Sequence, residues 1–233
     1  MIFEILNPSS AVPFLISAEH AGSKDPVGLG LSAGDMSSRV AYDLGARDIA
    51  ERLAIRLGCA AVVAKCTRCC IDLNRELSSP TLFPVLRHGV RITSNMDLGP
   101  AERIRRIDGI WRPYHKAIDG MIAKTLGKRQ VPIYISIHTC GAEHRQDMAF
   151  LFDNDRRMAD YLKAVFAKEI PTLDIGMNEP YDAYEIKGTL SLHAAPLSLP
   201  CVEVEFNQRL IDNPILLGHA VETLAKGIES YGN

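Results

Sequence analysis

A chain of 233 residues, 47% hydrophobic and 23% charged, carries enough apolar material for one sizeable core. Its formal net charge of −2 gives no electrostatic basis for binding nucleic acid or an anionic membrane surface. No apolar run reaches the length of a membrane span, and the opening MIFEILNPSS places Glu4 early with no basic leader, so a cytoplasmic protein is expected.

Residues 13–19, PFLISAE, form an apolar run that reads as a strand ending at His20, Ala21 and Gly22. A Gly- and Ser-rich loop follows, and a helix is expected over 38–57, with Ala46, Ala50, Leu53 and Leu57 as its apolar stripe. Asp43 falls on that stripe by spacing. A carboxylate on a buried face needs a partner, either the helix amino terminus or a metal ion. Residues 60–74 read as one bent strand or two short ones ending in DLNR, which contains Asp72, Asn74 and Arg75. Asn74 and Arg75 offer an amide and a planar fork suited to a substrate carboxylate, and pairing of Arg75 with a nearby acid is the alternative. Cys66 and Cys69 make a CxxC pattern within this apparent strand; with no second CxxC, they read as small buried residues rather than a redox pair or zinc knuckle. A long loop over 76–98 precedes a helical stretch at 100–126, where Pro113 should bend or interrupt the helix and His115 reads as a packing residue.

The run VPIYISIHTC at 131–140 is apolar throughout until Ser136, His138, Thr139 and Cys140, as expected of a central strand covered on both faces with its chemistry at the carboxyl end. A further strand at 147–153, a helix at 156–169, a loop at 176–184 containing NEPY and a short helix at 189–195 carrying His193 come next. The last strand, CVEVEF at 201–206, alternates Glu203 and Glu205 with Val202, Val204 and Phe206, so both glutamates share one face. That face is either solvated or holds a general base. A helix at 214–230 closes the chain. Alternation of strands and helices, without repeat or linker, predicts a single α/β domain over 1–233: a mixed, mostly parallel sheet flanked by helices on both faces.

His20, Arg75, His138 and Glu205 all fall at or near strand carboxyl ends, with Asp43 on the helix after the first of them. Two imidazoles and a carboxylate are a donor set suited to a catalytic zinc ion, or to another divalent metal. A nearby glutamate would move the proton in hydrolysis of an amide or ester whose carboxylate meets Arg75.

SAEHAG at 17–22, DLNR at 72–75, SIHT at 136–139, NEPY at 178–181 and LPCVEVEFNQRL at 199–210 together resemble the N-formylglutamate amidohydrolase family, whose fold is similar to that of zinc carboxypeptidases and zinc-dependent cell-wall amidases. The resemblance implies His20, Asp43 and His138 as ligands of one zinc ion, with Glu19 an alternative carboxylate ligand. It implies Glu205 as general base, with Glu203 its rival, and Asn74 and Arg75 as the carboxylate-binding pair. Asn178, Arg145 and His193 are further candidates for contacting substrate or polarising its carbonyl. The implied substrate is a small N-acyl amino acid, N-formyl-L-glutamate first, cleaved to formate and glutamate. A cell-wall amidase and a ligand-binding protein without turnover are the alternatives.

Overall fold

The computed structural model describes residues 1–232. Its strands are β1 (Phe3–Leu6), β2 (Phe14–Ala18), β3 (Ala60–Ala64), β4 (Leu86–Arg87), β5 (Val90–Arg91), β6 (Ile133–Cys140), β7 (Met148–Leu151), β8 (Ile175–Met177) and β9 (Cys201–Asn207). Seven of these form one sheet in the order β1-β3-β2-β6-β9-β7-β8, while β4 and β5 form a separate hairpin. The inner four, β3-β2-β6-β9, are mutually parallel. β1 and β7 pair antiparallel with β3 and β9, so the sheet is mixed but mostly parallel, as expected from sequence.

The helices are α1 (Ala33–Met36), α2 (Ala46–Leu57), α3 (Pro100–Arg106), α4 (Arg112–Leu126), α5 (Arg157–Glu169), α6 (Ala183–Ile186), α7 (Gln208–Ile211) and α8 (Pro214–Tyr231). Among the described residues, no helix is long and apolar enough to cross a membrane. Side-chain alternation along the strands assigns each residue to one of two cores. On one face Ile16, Ile135, Ile137, Val202 and Val204 pack with α2, α5 and α8. On the other, Leu15, Val62, Tyr134 and Cys201 pack against Tyr114, Ile118 and Ile122 of α4.

This parity places the chemistry. Continuing the α4 face toward the carboxyl ends, β2 offers Ser17 and then Glu19, β6 offers Ser136 and His138, and β9 offers Glu203 and Glu205, all of them buried. Register aligns Ser17 with Ser136, Ser136 with Glu203, and His138 with Glu205. A polar seam therefore crosses three adjacent central strands, and the glutamate face of β9 is interior rather than solvated.

Several local expectations change. The helix expected over 38–57 begins only at Ala46, because Gly45 adopts φ +86°, a left-handed conformation that ends any helix approaching from the amino side. Asp43 consequently sits in the turn before α2, where its backbone N–H donates to the His20 carbonyl at 2.8 Å. The interruption expected near Pro113 is present: a π-helical turn at Ile107–Trp111 separates α3 from α4, and the proline falls in the first turn of α4, where its missing N–H is tolerated. The 60–74 segment contains β3 alone; beyond it the chain turns, with Cys66 and Cys69 buried as free thiols. Burial pushes the Cys66 thiol up to about 12, leaving it protonated and a poor metal ligand.

Candidate metal centre

His20 follows β2 and His138 lies near the end of β6, and their rings meet edge to face with centroids 4.8 Å apart. Asp43 reaches between them: its Oδ2 lies 3.0 Å from Nδ1 of His138 and 3.4 Å from Nδ1 of His20. One donor atom from each of the three residues falls within 4.8 Å of the others, and all three side chains are buried.

The outer nitrogens decide what the inner ones can do. His20 Nε2 lies 2.7 Å from Asp72 Oδ1, and His138 Nε2 lies 3.0 Å from Glu19 Oε2. An ionised carboxylate only accepts, so each Nε2 carries a hydrogen and donates; with that one ring proton alone, the Nδ1 lone pairs would face the Asp43 carboxylate, which accepts as well. Three acceptors at 3.0–3.4 Å hold together only around positive charge, either a proton or a metal cation. His20 Nδ1 is buried and has no hydrogen-bond partner among the described residues. Carboxylates behind metal-binding imidazoles fix ring orientation and tautomer in this same way.

The pKa shifts reflect the same crowding of acceptors. Burial alone would raise Asp43, but His20, His138 and Arg68 overcome it and hold the carboxyl well below the usual carboxylate range. Burial opposes charge on His138, yet Glu203, Asp43 and Glu19 raise it well above the ordinary imidazole value. Arg68 donates to both Asp43 (3.1 Å) and Asp72 (2.9 Å), tying Asp43 to the carboxylate behind His20.

These groups open on a cavity of about 110 Å³, also lined by Glu205, Asn74 and Arg75. A second cavity of about 530 Å³ shares Arg75, Tyr181 and Ile186 with it. The two glutamates of β9 differ. Glu203 accepts from Asn74 Nδ2 at 3.1 Å, whereas Glu205 Oε2 is buried and has no hydrogen-bond partner among the described residues. Burial raises the Glu205 carboxyl to about 8; His138 opposes the rise, while Asp43 and Glu203 add to it. Asn74 is further fixed through its Oδ1, which accepts from Thr189 N–H at 2.9 Å. That contact needs Gly188 beside it, since a Cβ there would lie 2.0 Å from the same oxygen. Arg75 donates to its neighbour's carbonyl (2.8 Å) and to Thr81 (3.1 Å), and makes no carboxylate pair among the described residues.

Three sequence candidates lie elsewhere. Arg145 has a side chain 83% exposed and pairs with Asp174 at 2.9 Å, away from the cavity. Asn178, at φ +50°, uses its amide to hold Phe152 and Asp182, so it shapes its loop instead of facing the cavity. Tyr181 of that loop lines the cavity in its place. His193 points to α4, bonding His115 at 2.7 Å and Asp119 at 2.7 Å. Glu19 bonds the outer nitrogen of His138 and sits behind it, on the side away from Asp43. Sequence reasoning assigns no role to Asp72, Arg68, Arg39, Arg87, His88 or Tyr181; Asp72 carries a signal as the first residue of DLNR, and Tyr181 as the last of NEPY.

His115 is buried between Trp111 and His193, and Trp111 Nε1 donates to the Arg75 carbonyl at 2.9 Å, so this stack supports the loop that carries Arg75. Burial, and next the neighbouring His193, lower the His115 pKa from 6.5 to about 3. An unfolded chain takes up that proton below pH about 6.5 and the folded one does not, so this contribution to stability is intact above 6.5 and is lost as pH falls toward about 3. The expected slope is up to about 1.4 kcal/mol per pH unit. Denaturant unfolding between pH 7 and 4.5 should show a shallower decline for His115→Gln than for the wild type, and equal slopes would refute the assignment.

Comparison with known proteins places these observations in a family. The model of the family described as N-formylglutamate amidohydrolase matches residues 12–212. No curated protein sequence matches the chain. Among solved structures, a gene product of Agrobacterium tumefaciens, Atu2144, is 29% identical with a TM-score of 0.90, over 99% of this chain and 94% of that one. The N-formylglutamate amidohydrolase of Ralstonia eutropha JMP134 shares the fold at 16% identity, with a TM-score of 0.73 over 99% of this chain and 98% of that one. With the family match spanning most of its length, the chain belongs to the N-formylglutamate amidohydrolase family of amide-bond hydrolases.

Proposed function

We propose that this protein is a zinc-dependent amidohydrolase of small N-acyl amino acids, with N-formyl-L-glutamate as its first substrate and formate and L-glutamate as products. The observation that carries the reading is the convergence of His20 Nδ1, His138 Nδ1 and Asp43 Oδ2, with Asp72 and Glu19 holding the two outer nitrogens. Two imidazoles and one carboxylate leave coordination open, as catalytic zinc sites do. The ion, when bound, supplies Lewis acidity that polarises an amide carbonyl and strengthens water as a nucleophile.

The chain's own groups do the rest. Glu205 is the general base: one buried oxygen is free, it faces the cavity, and it lies opposite His138 in the strand register. It takes a proton from the attacking water and returns it to the departing amine. Glu203 is occupied in positioning Asn74, and Asn74 in turn touches His138 Nε2 at 3.3 Å. Arg75 holds the substrate carboxylate, with a guanidinium at the cavity wall that no acid of the chain neutralises among the described residues. The single domain over 1–233 is then one catalytic unit.

Formate release from N-formyl-L-glutamate by zinc-loaded protein, compared with N-acetyl-L-glutamate and a muramoyl peptide, tests the reading. The formyl substrate should be fastest; no turnover of either acyl amino acid with zinc bound would overturn it. Arg75→Ala should raise KM by about 10- to 100-fold with kcat little changed, because a charge-assisted bidentate contact is lost from ground and transition state alike. A fall in kcat at constant KM would remove Arg75 from substrate binding.

A further inference from the structure

Four arginines line the cavity beside Asp43, Glu203 and Glu205, more guanidiniums than one substrate carboxylate engages. Arg68 is neutralised by Asp43 and Asp72, and Arg75 is assigned above. Two more guanidiniums line the same cavity. Arg39 donates from Nη2 to the Thr139 carbonyl at 3.2 Å, but its Nε and Nη1 are shielded with no hydrogen-bond partner among the described residues. Arg87, at the end of β4, has a buried Nε with no partner. Neither makes an ion pair among the described residues. The hairpin turn that follows Arg87 runs through His88 (φ +46°) and Gly89 (φ +80°), and His88 also reaches the cavity lining.

Arg39 and Arg87 are half-buried, and a shielded guanidinium N–H without an acceptor is costly, so an anion in the cavity would satisfy both. Their forked donors suit a carboxylate. Both belong to segments outside the metal-facing strands: Arg39 to the turn before α2, and Arg87 to the β4–β5 hairpin. We propose that Arg39 and Arg87 form a second carboxylate subsite in this chain, the residues by which it selects an acyl amino acid with an acidic side chain over a neutral one. For the reaction this rests on the hydrolase reading above; for binding it does not.

The test separates the two. Protein as purified is titrated calorimetrically with glutarate, which carries two carboxylates, and with butyrate, which carries one. Glutarate should bind about tenfold tighter or more. Arg39→Gln and Arg87→Gln should each remove most of that advantage while leaving butyrate within about twofold. Arg87→Lys, which keeps the charge, should retain part of it. In kinetics, the ratio of kcat/KM for N-formyl-L-glutamate over N-formyl-L-glutamine should fall about tenfold in each Gln variant. Equal wild-type affinities for the two acids, an unchanged glutarate affinity in either Gln variant, or an equal loss on both ligands would overturn the subsite. Loss of the glutarate preference in both variants, in a protein that hydrolyses no formyl amino acid, would support the subsite and refute the hydrolase reading.

Discussion

Glu205→Gln is expected to lower kcat by about 10²–10⁴-fold while metal content and fold persist. The substitution keeps the shape and the buried position of a side chain that is 5% exposed, and it removes only the ability to accept and return a proton. The pH profile supplies the sign. Burial, moderated by His138 and reinforced by Asp43 and Glu203, raises this carboxyl to about 8. A base works ionised, so activity falls as pH drops through its pKa. A divalent cation beside it favours the carboxylate and draws that pKa down, so the acid limb of kcat/KM in the metal-loaded enzyme should lie below pH 8. In Glu205→Gln this limb should vanish along with the rate. A variant that kept most of its kcat with metal bound would move the base to another group, and Glu203 is the one to test next. Its tie to Asn74 predicts that Glu203→Gln disturbs KM more than kcat.

The sheet and much of the site are legible in the sequence because both are written in strand periodicity. An apolar run that stops at a histidine marks the end of a buried strand, which is how His20 and His138 stand out. The alternation in CVEVEF alone puts Glu203 and Glu205 on one face. Asp43 is reached for a partly wrong reason: its spacing suggests a helix stripe, but the left-handed Gly45 makes it a turn residue, pinned instead by its backbone bond to His20. Less legible are contacts that depend on chain packing. Nothing local in CTRC says that Arg68 bridges two buried acids, or in LRHG that Arg87 turns into a cavity. Along the chain Glu19 stands out only as a neighbour of His20; that it backs His138 instead follows from strand register. Arg145, Asn178 and His193 err in the other direction. Each is polar and near a motif, yet solvent, a turn and α4 respectively claim their side chains.

His20→Ala and His138→Ala should each abolish stoichiometric metal binding and reduce activity to background, the largest effect available in this site. Each removes one of the three candidate donors found among the described residues, and two remaining donors would not hold zinc against a modest chelator. The outer carboxylates allow a graded version of the same experiment. Asp72→Asn and Glu19→Gln keep the volume behind each imidazole and weaken the bond that fixes its tautomer, so metal affinity should fall by about 10- to 100-fold without being lost. Of the two, Glu19→Gln isolates the effect better, since Asp72 also neutralises Arg68 and its amide would leave that guanidinium with Asp43 alone. Elemental analysis of each variant, followed by competition with a chromophoric chelator, ranks them: wild type tightest, the carboxylate variants intermediate, the histidine variants empty. Full metal occupancy in His138→Ala would remove the centre from this cluster. Unchanged affinity in Glu19→Gln would mean that His138 is oriented by its strand alone, and that the 3.0 Å contact to Glu19 serves the polar seam of the sheet and not the metal.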